Sequence, residues 1–443
     1  MLQRRDEREG LRMRGMLELV LIFVCVGLLM GSASAAPDED FFPIMPWDSL
    51  RGWGVQIEGY DDPLESVAEC NFTIAGFVQP EQLPVCERLG LKAIISRPQM
   101  PGAGNKLWFG DSDAEIDAAI KAQVEKAGKS DAIMGYYIVD EPGAPAFPLL
   151  AKTVAAVRKY APGKLSYINL FPGYATIGAP DKSQLGTASF TEYLERFVAE
   201  VKPDILSYDN YKVMTSDNLQ SADQGAVFFS DLVEVRRVSQ ESGIPFWNVC
   251  CSNRIRPYTT VPSPANLSLQ AYATLAAGGR GLAWYTYYQR GYAYAPIDSG
   301  TEGTGYKTQT WYYLRDINRQ VRTLGPIMNR LKSTGVFFTE SPAKNAVLLP
   351  GKLVKSVESV SSIKGFSKDA PRIMVGEFEG KDGNYVMLVN ISLEKAANVK
   401  LQTAQTYAKK EVVSPVDAHL TPLDETDGHW LVPGGGVLIK LTK

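Results

Sequence analysis

The sequence predicts a (β/α)8 barrel followed by a small C-terminal antiparallel β-sandwich. Three observations carry that prediction. Strand-like apolar runs alternate with amphipathic segments eight times between residues 54 and 331. No Gly-rich phosphate loop follows the first strand, as a doubly wound open sheet would usually show. After Leu331 the texture changes to short alternating runs separated by Gly-, Pro- and Asp-containing turns.

The chain opens with Arg4, Arg5, Arg8, Arg12 and Arg14 ahead of the apolar run Leu19–Met30, and Ala33-Ser34-Ala35 supplies small residues for cleavage. Residues 1–35 therefore read as a secretory signal peptide, cut before Ala36, with Met13 or Met16 as alternative starts. The apolar run is short for a membrane span, and no later segment reaches about 18 apolar residues. The mature chain is expected to be exported, to the periplasm or the medium, and to span no membrane. The barrel is expected over 36–334 and the sandwich over 335–443.

The eight strands read as Gly54–Glu58, Phe72–Val78, Lys92–Ser96, Gly135–Asp140, Leu165–Phe171, Ile205–Tyr211, Phe246–Ser252 and Gly281–Tyr288. Helical spacing of apolar residues marks Glu81–Leu89, Ala114–Ala127, Leu149–Tyr160, Thr191–Val201, Val227–Glu241 and Leu267–Ala277 between them. Gly90, Gly163, Pro203 and Gly243-Ile244-Pro245 supply stops. Trp311–Leu331 reads as a long amphipathic helix closing the barrel. Sandwich strands are expected at Gly335–Glu340, Ala346–Leu349, Arg372–Glu379, Tyr385–Ile391, Asn398–Leu401 and Val437–Leu441. Asn71, Asn266 and Asn390 sit in Asn-x-Ser/Thr sequons.

Composition narrows the chemistry. Removing residues 1–35 takes away five basic and four acidic side chains, leaving 41 against 45. That mild acidity carries no polyanion-binding signature, so nucleic acid is not expected as a partner. Only two histidines occur, His419 and His429, both near the C-terminus. A Ser-His-Asp triad, a Cys-His dyad and the usual His-bearing zinc site are thus closed to the barrel. Proton transfer there falls to Asp, Glu, Tyr, Lys or Cys. Four mature cysteines allow three pairings. Cys70–Cys86 with a vicinal Cys250–Cys251 bridge is the preferred one, against four buried thiols.

The C-terminal ends of barrel strands are where chemistry is done. Asp140-Glu141-Pro142 closes the fourth strand, and two adjacent acids there need a reason, because a carboxylate leaves water at high cost. A helix cap with a salt-bridged partner is the plain alternative. Other strand ends contribute Glu58, Arg97, Asn169, Tyr208, Asp209, Tyr211, Trp247 and Asn248. The eighth adds Trp284, Tyr285, Tyr287 and Gln289, with six aromatics between Trp284 and Tyr294. Acids, amides and rings at one rim suit a sugar, with rings on its apolar face and polar groups on its hydroxyls. Ordinary barrel packing is the competing role for the rings.

These residues carry a resemblance. An acid pair closing the fourth strand, Tyr208-Asp209 closing the sixth and a Trp on the eighth resemble the (β/α)8 glycoside hydrolases. Ala271–Tyr288 is similar to the last helix and strand of the β-galactosidase-like barrels, and the Val432-Pro433-Gly434-Gly435 turn to their accessory sandwiches. The resemblance implies an exported hydrolase of a poly- or oligosaccharide, with no cofactor or obligatory metal and with Glu141 as general acid/base. The nucleophile that retaining barrels carry at the end of the seventh strand has no match in Phe246–Asn253. An adjacent Asp-Glu pair resembles the substrate-assisted hexosaminidases of families 20 and 123. In those, the Asp holds the sugar's 2-acetamido group while the Glu protonates the leaving oxygen, and Tyr208 or Tyr285 here is placed for the acetamide oxygen.

Simple alternation sends Asp140 and Glu141 to opposite faces, so the two are not expected to bracket one bond. Asp209 is the rival partner, as nucleophile, as base of an inverting reaction, or as a structural acid. Like charge from Asp140 is expected to raise the Glu141 pKa, with burial adding to it. A bridged Cys250–Cys251 ring would offer an apolar platform, against two small strand-end hydrophobes. A non-catalytic carbohydrate-binding barrel and a polysaccharide lyase, with Arg97 neutralising a uronate, remain the alternatives.

Overall fold

The computed structural model describes residues 39–47, 55–98, 107–176, 183–215, 219, 225–255, 259–289, 293–299, 303–361 and 370–443. The expected signal segment lies outside them. Residues Glu39–Lys443 form one compact unit.

Eight parallel strands make the barrel: β1 (Ile44–Pro46), β2 (Ile74–Val78), β3 (Lys92–Ile95), β4 (Ile133–Asp140), β5 (Leu165–Leu170), β6 (Leu206–Asp209), β7 (Phe246–Cys251) and β8 (Leu282–Tyr285). They pair in the order β1-β8-β7-β6-β5-β4-β3-β2. Closure comes from Thr73 beside β1, its N–H donating to the Ile44 carbonyl at 3.0 Å. The Ile44 N–H returns a bond to Thr73 Oγ1 at 2.8 Å.

Seven of the expected strands are present within a few residues. The first is corrected. The opening strand is Ile44–Pro46, fully buried, whereas residues 55–58 lie beyond it and bridge only at Ile57 to Gly305. Its three residues are too few to show a period, so the later alternation looked stronger.

The helices are α1 (Pro63–Glu69), α2 (Leu83–Leu89), α3 (Asp113–Ala127), α4 (Phe147–Tyr160), α5 (Phe190–Arg196), α6 (Gly225–Ser242), α7 (Pro264–Ala276) and α8 (Gln309–Asn329). Local chemistry sets their ends. Ser112 with Glu115 and Ser263 with Asn266 form reciprocal caps on α3 and α7. Gly90 ends α2 at a φ of 68°, a left-handed stop a side chain would resist. Short α1, unanticipated from sequence, is started by Asp62, whose carboxylate accepts the Leu64 N–H.

Two cores follow from strand alternation. Met45, Trp47, Ile74, Phe77, Ile94, Tyr137, Tyr167, Trp247, Val249 and Ala283 fill the barrel interior. Its centre is aromatic, with Phe77 stacked on Tyr137 at 4.1 Å between ring centroids. Alternate residues face outward and seal the strands against the helices.

The C-terminal strands form two antiparallel sheets. A six-stranded sheet combines β11 (Lys332–Phe338), β13 (Ile373–Gly380), β14 (Gly383–Asn390), β19 (Gly436–Thr442), β16 (Lys409–Val413) and β17 (Leu420–Pro422). A three-stranded one holds β12 (Val354–Val360), β15 (Ala397–Thr403) and β18 (His429–Leu431). Val354, Ile373, Val386, Ala397 and Ile439 are among the residues packed between them. The expected strand Ala346–Leu349 is reduced to a single bridge from Leu348 to Phe338. A two-stranded ribbon, β9 (Ile297–Asp298) with β10 (Tyr306–Lys307), follows the barrel's last strand. No helix among the described residues is long and apolar enough to cross a membrane.

Candidate active site

The acid pair reaches the mouth through a bulge. In β4 against β5, Tyr137 pairs with Tyr167, but the next partners are Val139 with Ile168 and Asp140 with Asn169, leaving Ile138 extra. The extra residue reverses the alternation, so Tyr137 and Asp140 both face inward. The Ile138 carbonyl accepts from Trp108 Nε1 at 2.7 Å. Glu141 lies just past the strand with a φ of 46°, a left-handed conformation costly for a residue with a side chain. Its N–H is fixed by the Asn169 carbonyl at 2.8 Å. The expectation that the two acids part to opposite faces is therefore corrected. A bulge and a backbone reversal turn both into one mouth.

Asp209, at the end of β6, completes the group. Asn169 stands between the acids, donating through Nδ2 to Asp140 Oδ1 at 3.2 Å and to Asp209 Oδ1 at 3.3 Å. Its amide is held by Ser207 Oγ donating to Asn169 Oδ1 at 3.1 Å, and Ser207 meets the Tyr167 hydroxyl at 2.9 Å. Asn169 was expected to contact substrate. Both ends of its amide are committed internally, so its role is to set the spacing of two carboxyls.

Glu141 and Asp209 are within side-chain hydrogen-bonding reach, and the Tyr211 hydroxyl also bonds Asp209. Burial, and then repulsion from Asp140, push Glu141 up to about 7. Asp140 is raised to about 6, by desolvation against the pull of Asn169 and Arg97. It is open to the mouth by area yet walled by protein. Asp209 is driven well above the carboxylate range by burial and by both neighbours. Three acids this close cannot all ionise, so the group holds a proton near neutral pH.

Other predicted residues divide by face. Tyr211 and Tyr285 stack at 5.5 Å beside Asp209 and form an aromatic wall. Arg97 lies exposed, 5.3 Å above the Tyr137 ring. Glu58 is exposed beyond β1. Trp247 faces inward but packs within the barrel against Tyr167 at 5.8 Å, below the mouth. Four expected sugar contacts point the other way, into the helix layer. Tyr208 is buried against outer-core residues, and Asn248 donates to Thr274 Oγ1 of α7. Trp284 donates to Asn318 of α8, and Tyr287 meets Ser66 and Trp311. They alternate with inward neighbours, so an aromatic-rich strand end places half its rings outside. Gln289 is tied to Ser299.

The expected disulfides are also corrected: Cys70, Cys86, Cys250 and Cys251 are free and buried. Adjacent strand residues diverge, Cys250 into the outer core and Cys251 inward, with its thiol pushed up to about 12 by burial.

Two tyrosines and an acid were missed. Tyr174, on a short turn after β5, is raised above its usual range by burial and by Asp209. The Tyr193 hydroxyl of α5 donates to the Pro142 carbonyl at 2.6 Å, directly after Glu141. Asp231 lies on the apolar face of α6 with Phe228, Leu232 and Val235. A charge in that stripe was the available signal. A cleft of about 600 Å³ on the sandwich is lined by Glu358, Lys400 and Lys410 among others. Its lysines are already engaged, Lys410 with Glu425 at 2.5 Å and Lys400 with the Thr426 carbonyl at 2.6 Å. Among the described residues no group of three or more His, Cys, Asp or Glu is arranged to hold a metal ion.

No family model and no curated protein matches this chain. Among solved structures, it is similar to α-L-arabinofuranosidase from Thermotoga maritima in its arabinose complex, at 12% identity. That match covers 90% of this chain and 96% of the other, with a TM-score of 0.48. Saccharomyces cerevisiae Gas2 in complex with a small compound is similar at 12% identity and a TM-score of 0.42, covering 57% of each chain. A Gas2 mutant with laminaritetraose and laminaripentaose gives 11%, 58% of this chain, 57% of that one, and 0.40. This chain thus spans less than two thirds of Gas2. At these TM-scores the likenesses assign no activity.

Proposed function

We propose that this chain is an exported glycoside hydrolase in which Glu141 protonates the leaving glycosidic oxygen. One observation carries the proposal. Asp140, Glu141 and Asp209 gather in one barrel mouth beside the Tyr211–Tyr285 wall, with Glu141 raised to about 7. A general acid must hold its proton near working pH, and a half-buried carboxyl beside an ionising neighbour does so.

The second half of the mechanism is narrowed by distance and exposure. Retaining and inverting pairs stand roughly 5 Å or more apart. Asp209 is in hydrogen-bonding reach of Glu141 and 3% exposed, so it is poorly placed to attack an anomeric carbon across a sugar. Cys251 occupies the end of β7 where retaining barrels carry their nucleophile. These facts favour substrate assistance. Asp140 would orient the substrate's 2-acetamido group, whose oxygen attacks the anomeric carbon as Glu141 gives its proton to the departing oxygen. Glu141 then takes a proton from water as the cyclic intermediate opens.

The test is a panel of aryl glycosides, with and without a 2-acetamido group, together with polysaccharides. Release of reducing sugar, strongest on the 2-acetamido members, supports the proposal. An unsaturated product absorbing in the ultraviolet would make the protein a lyase, and binding without turnover a carbohydrate-binding barrel.

A further inference from the structure

Behind the mouth, helix residues tie neighbouring strand-end loops to one another. Tyr193 of α5 joins the loop after β4 to the one after β5, since its hydroxyl donates to Pro142 and takes the Phe171 N–H. Asp231 of α6 does the same one position further on. Its Oδ2 accepts the Gly173 N–H at 2.8 Å and Asn210 Nδ2 at 2.7 Å. Gly173 begins the turn that carries Tyr174, and Asn210 directly follows Asp209. The two arms meet again above, where the Tyr174 hydroxyl bonds the Tyr211 backbone. Asn210 Oδ1 in turn accepts the Lys212 N–H at 2.9 Å.

The join leaves no slack. A Cβ on Gly173 would come within 2.2 Å of Asp231 Oδ1, so loop and carboxyl are in contact. Asp231 is 5% exposed, and no cation pairs with it within ion-pair distance among the described residues. Tyr208, Tyr174 and Glu234 interact with it electrostatically, and the Lys212 charge pulls the other way. A buried carboxyl without a cation is costly, and no packing demand of α6 calls for one at this position.

We propose that Asp231 is a positioning residue for the catalytic mouth: by binding Gly173 and Asn210 together it holds Tyr174 and Asp209 against Glu141 and keeps water from that contact. The kinetic consequence rests on the glycosidase proposal; the electrostatic one does not. Loosening the tie admits water around Glu141 and so relaxes the burial that raises it most, while the opposing effect, loss of the Asp209 hydrogen bond that lowers it, is the smaller one.

The test compares Asp231→Ala with the conservative Asp231→Asn, whose amide oxygen still accepts from both donors. Carboxyl-carbon NMR of the full chain follows the Glu141 titration, assigned by its absence in Glu141→Gln. The expected result is a Glu141 midpoint near 7 in the parent, displaced downward in Asp231→Ala and returned in Asp231→Asn. On any substrate the panel identifies, kcat falls at least about tenfold in Asp231→Ala with KM nearly unchanged. If Asp231→Ala does not fold, Asn210→Ala removes one arm of the tie and is expected to move Glu141 the same way. An unmoved Glu141 midpoint with an unchanged kcat, whatever the loss of thermal stability, overturns the proposal. Full activity in Glu141→Gln with a displaced midpoint in Asp231→Ala would instead sink the glycosidase mechanism and leave the positioning role standing.

Discussion

Glu377 in the sandwich and the Asp140–Glu141–Asp209 group in the barrel mouth meet the same difficulty in opposite ways. Glu377 is fully buried and accepts three backbone N–H groups, from Lys352, Leu353 and Val354, at 2.8–2.9 Å. Each lone pair it turns inward finds a fixed dipole. The mouth acids share one amide, Asn169, with the Tyr211 hydroxyl on Asp209 and the Arg97 charge near Asp140, and they repel each other. One carboxylate is held in place by its surroundings; the other three are held under electrostatic stress. A stressed, partly satisfied group retained in a fold is the kind of place where chemistry is found.

The largest effect is expected where satisfaction is complete. Glu377→Ala leaves three buried donors without a partner and should cost about 3 kcal/mol or more, read in chemical denaturation. The same change in the mouth should behave differently. Asp209→Asn removes a repelled charge and is expected to leave stability at pH 8 unchanged or higher, while lowering turnover. A fall as large as that of Glu377→Ala would show that the mouth acids are structural after all.

Stability against pH sharpens the contrast. Folding raises Glu141 and Asp231, each up to about 7, so the fold disfavours their ionised forms. Their contribution is therefore intact below the usual carboxylate range and is lost as pH rises through about 7. Each tenfold change in ionisation constant is about 1.4 kcal/mol. Denaturation between roughly pH 4 and 8 should show the parent losing stability and Asp231→Asn losing about 2 kcal/mol less. A parallel pair of curves would remove the stress from the account.

Smallest is the effect expected on the outer face of the same strands. Among the described residues the buried Tyr208 hydroxyl has no hydrogen-bond partner. Tyr208→Phe should leave turnover unchanged and shift stability by less than about 1 kcal/mol, in the stabilising direction. Tyr211→Phe, one turn of the chain away and bonded to Asp209, should lower turnover. Reducing agent should leave the melting curve unchanged, because the four cysteines are free thiols.

Most of the architecture was legible from sequence because strand runs such as Phe246–Cys251 and Leu165–Leu170 are apolar on both faces, as a helix-covered parallel sheet demands. The sandwich was less legible. Strands such as Lys409–Val413 and His429–Leu431 are short and half-exposed, and their pattern is weak. At the site, the three acids were visible from their positions at strand ends. Which way they point was not, since one extra residue, Ile138, inverts the alternation that sequence reading depends on. Ordinary alternation on the sixth to eighth strands, by contrast, separates Tyr211 and Tyr285 in the mouth from Tyr208, Asn248 and Trp284 behind it. Asp231 was hidden because its partners, Gly173 and Asn210, come from two other segments of the chain.

The central claim is that Glu141 supplies the proton to the leaving group. Its most direct test is Glu141→Gln assayed across a series of aryl glycosides of graded leaving-group acidity. The account predicts a loss of about 10²-fold or more on poor leaving groups, shrinking towards parent rates as the leaving group becomes more acidic. Full activity of Glu141→Gln on the poor leaving groups would contradict it.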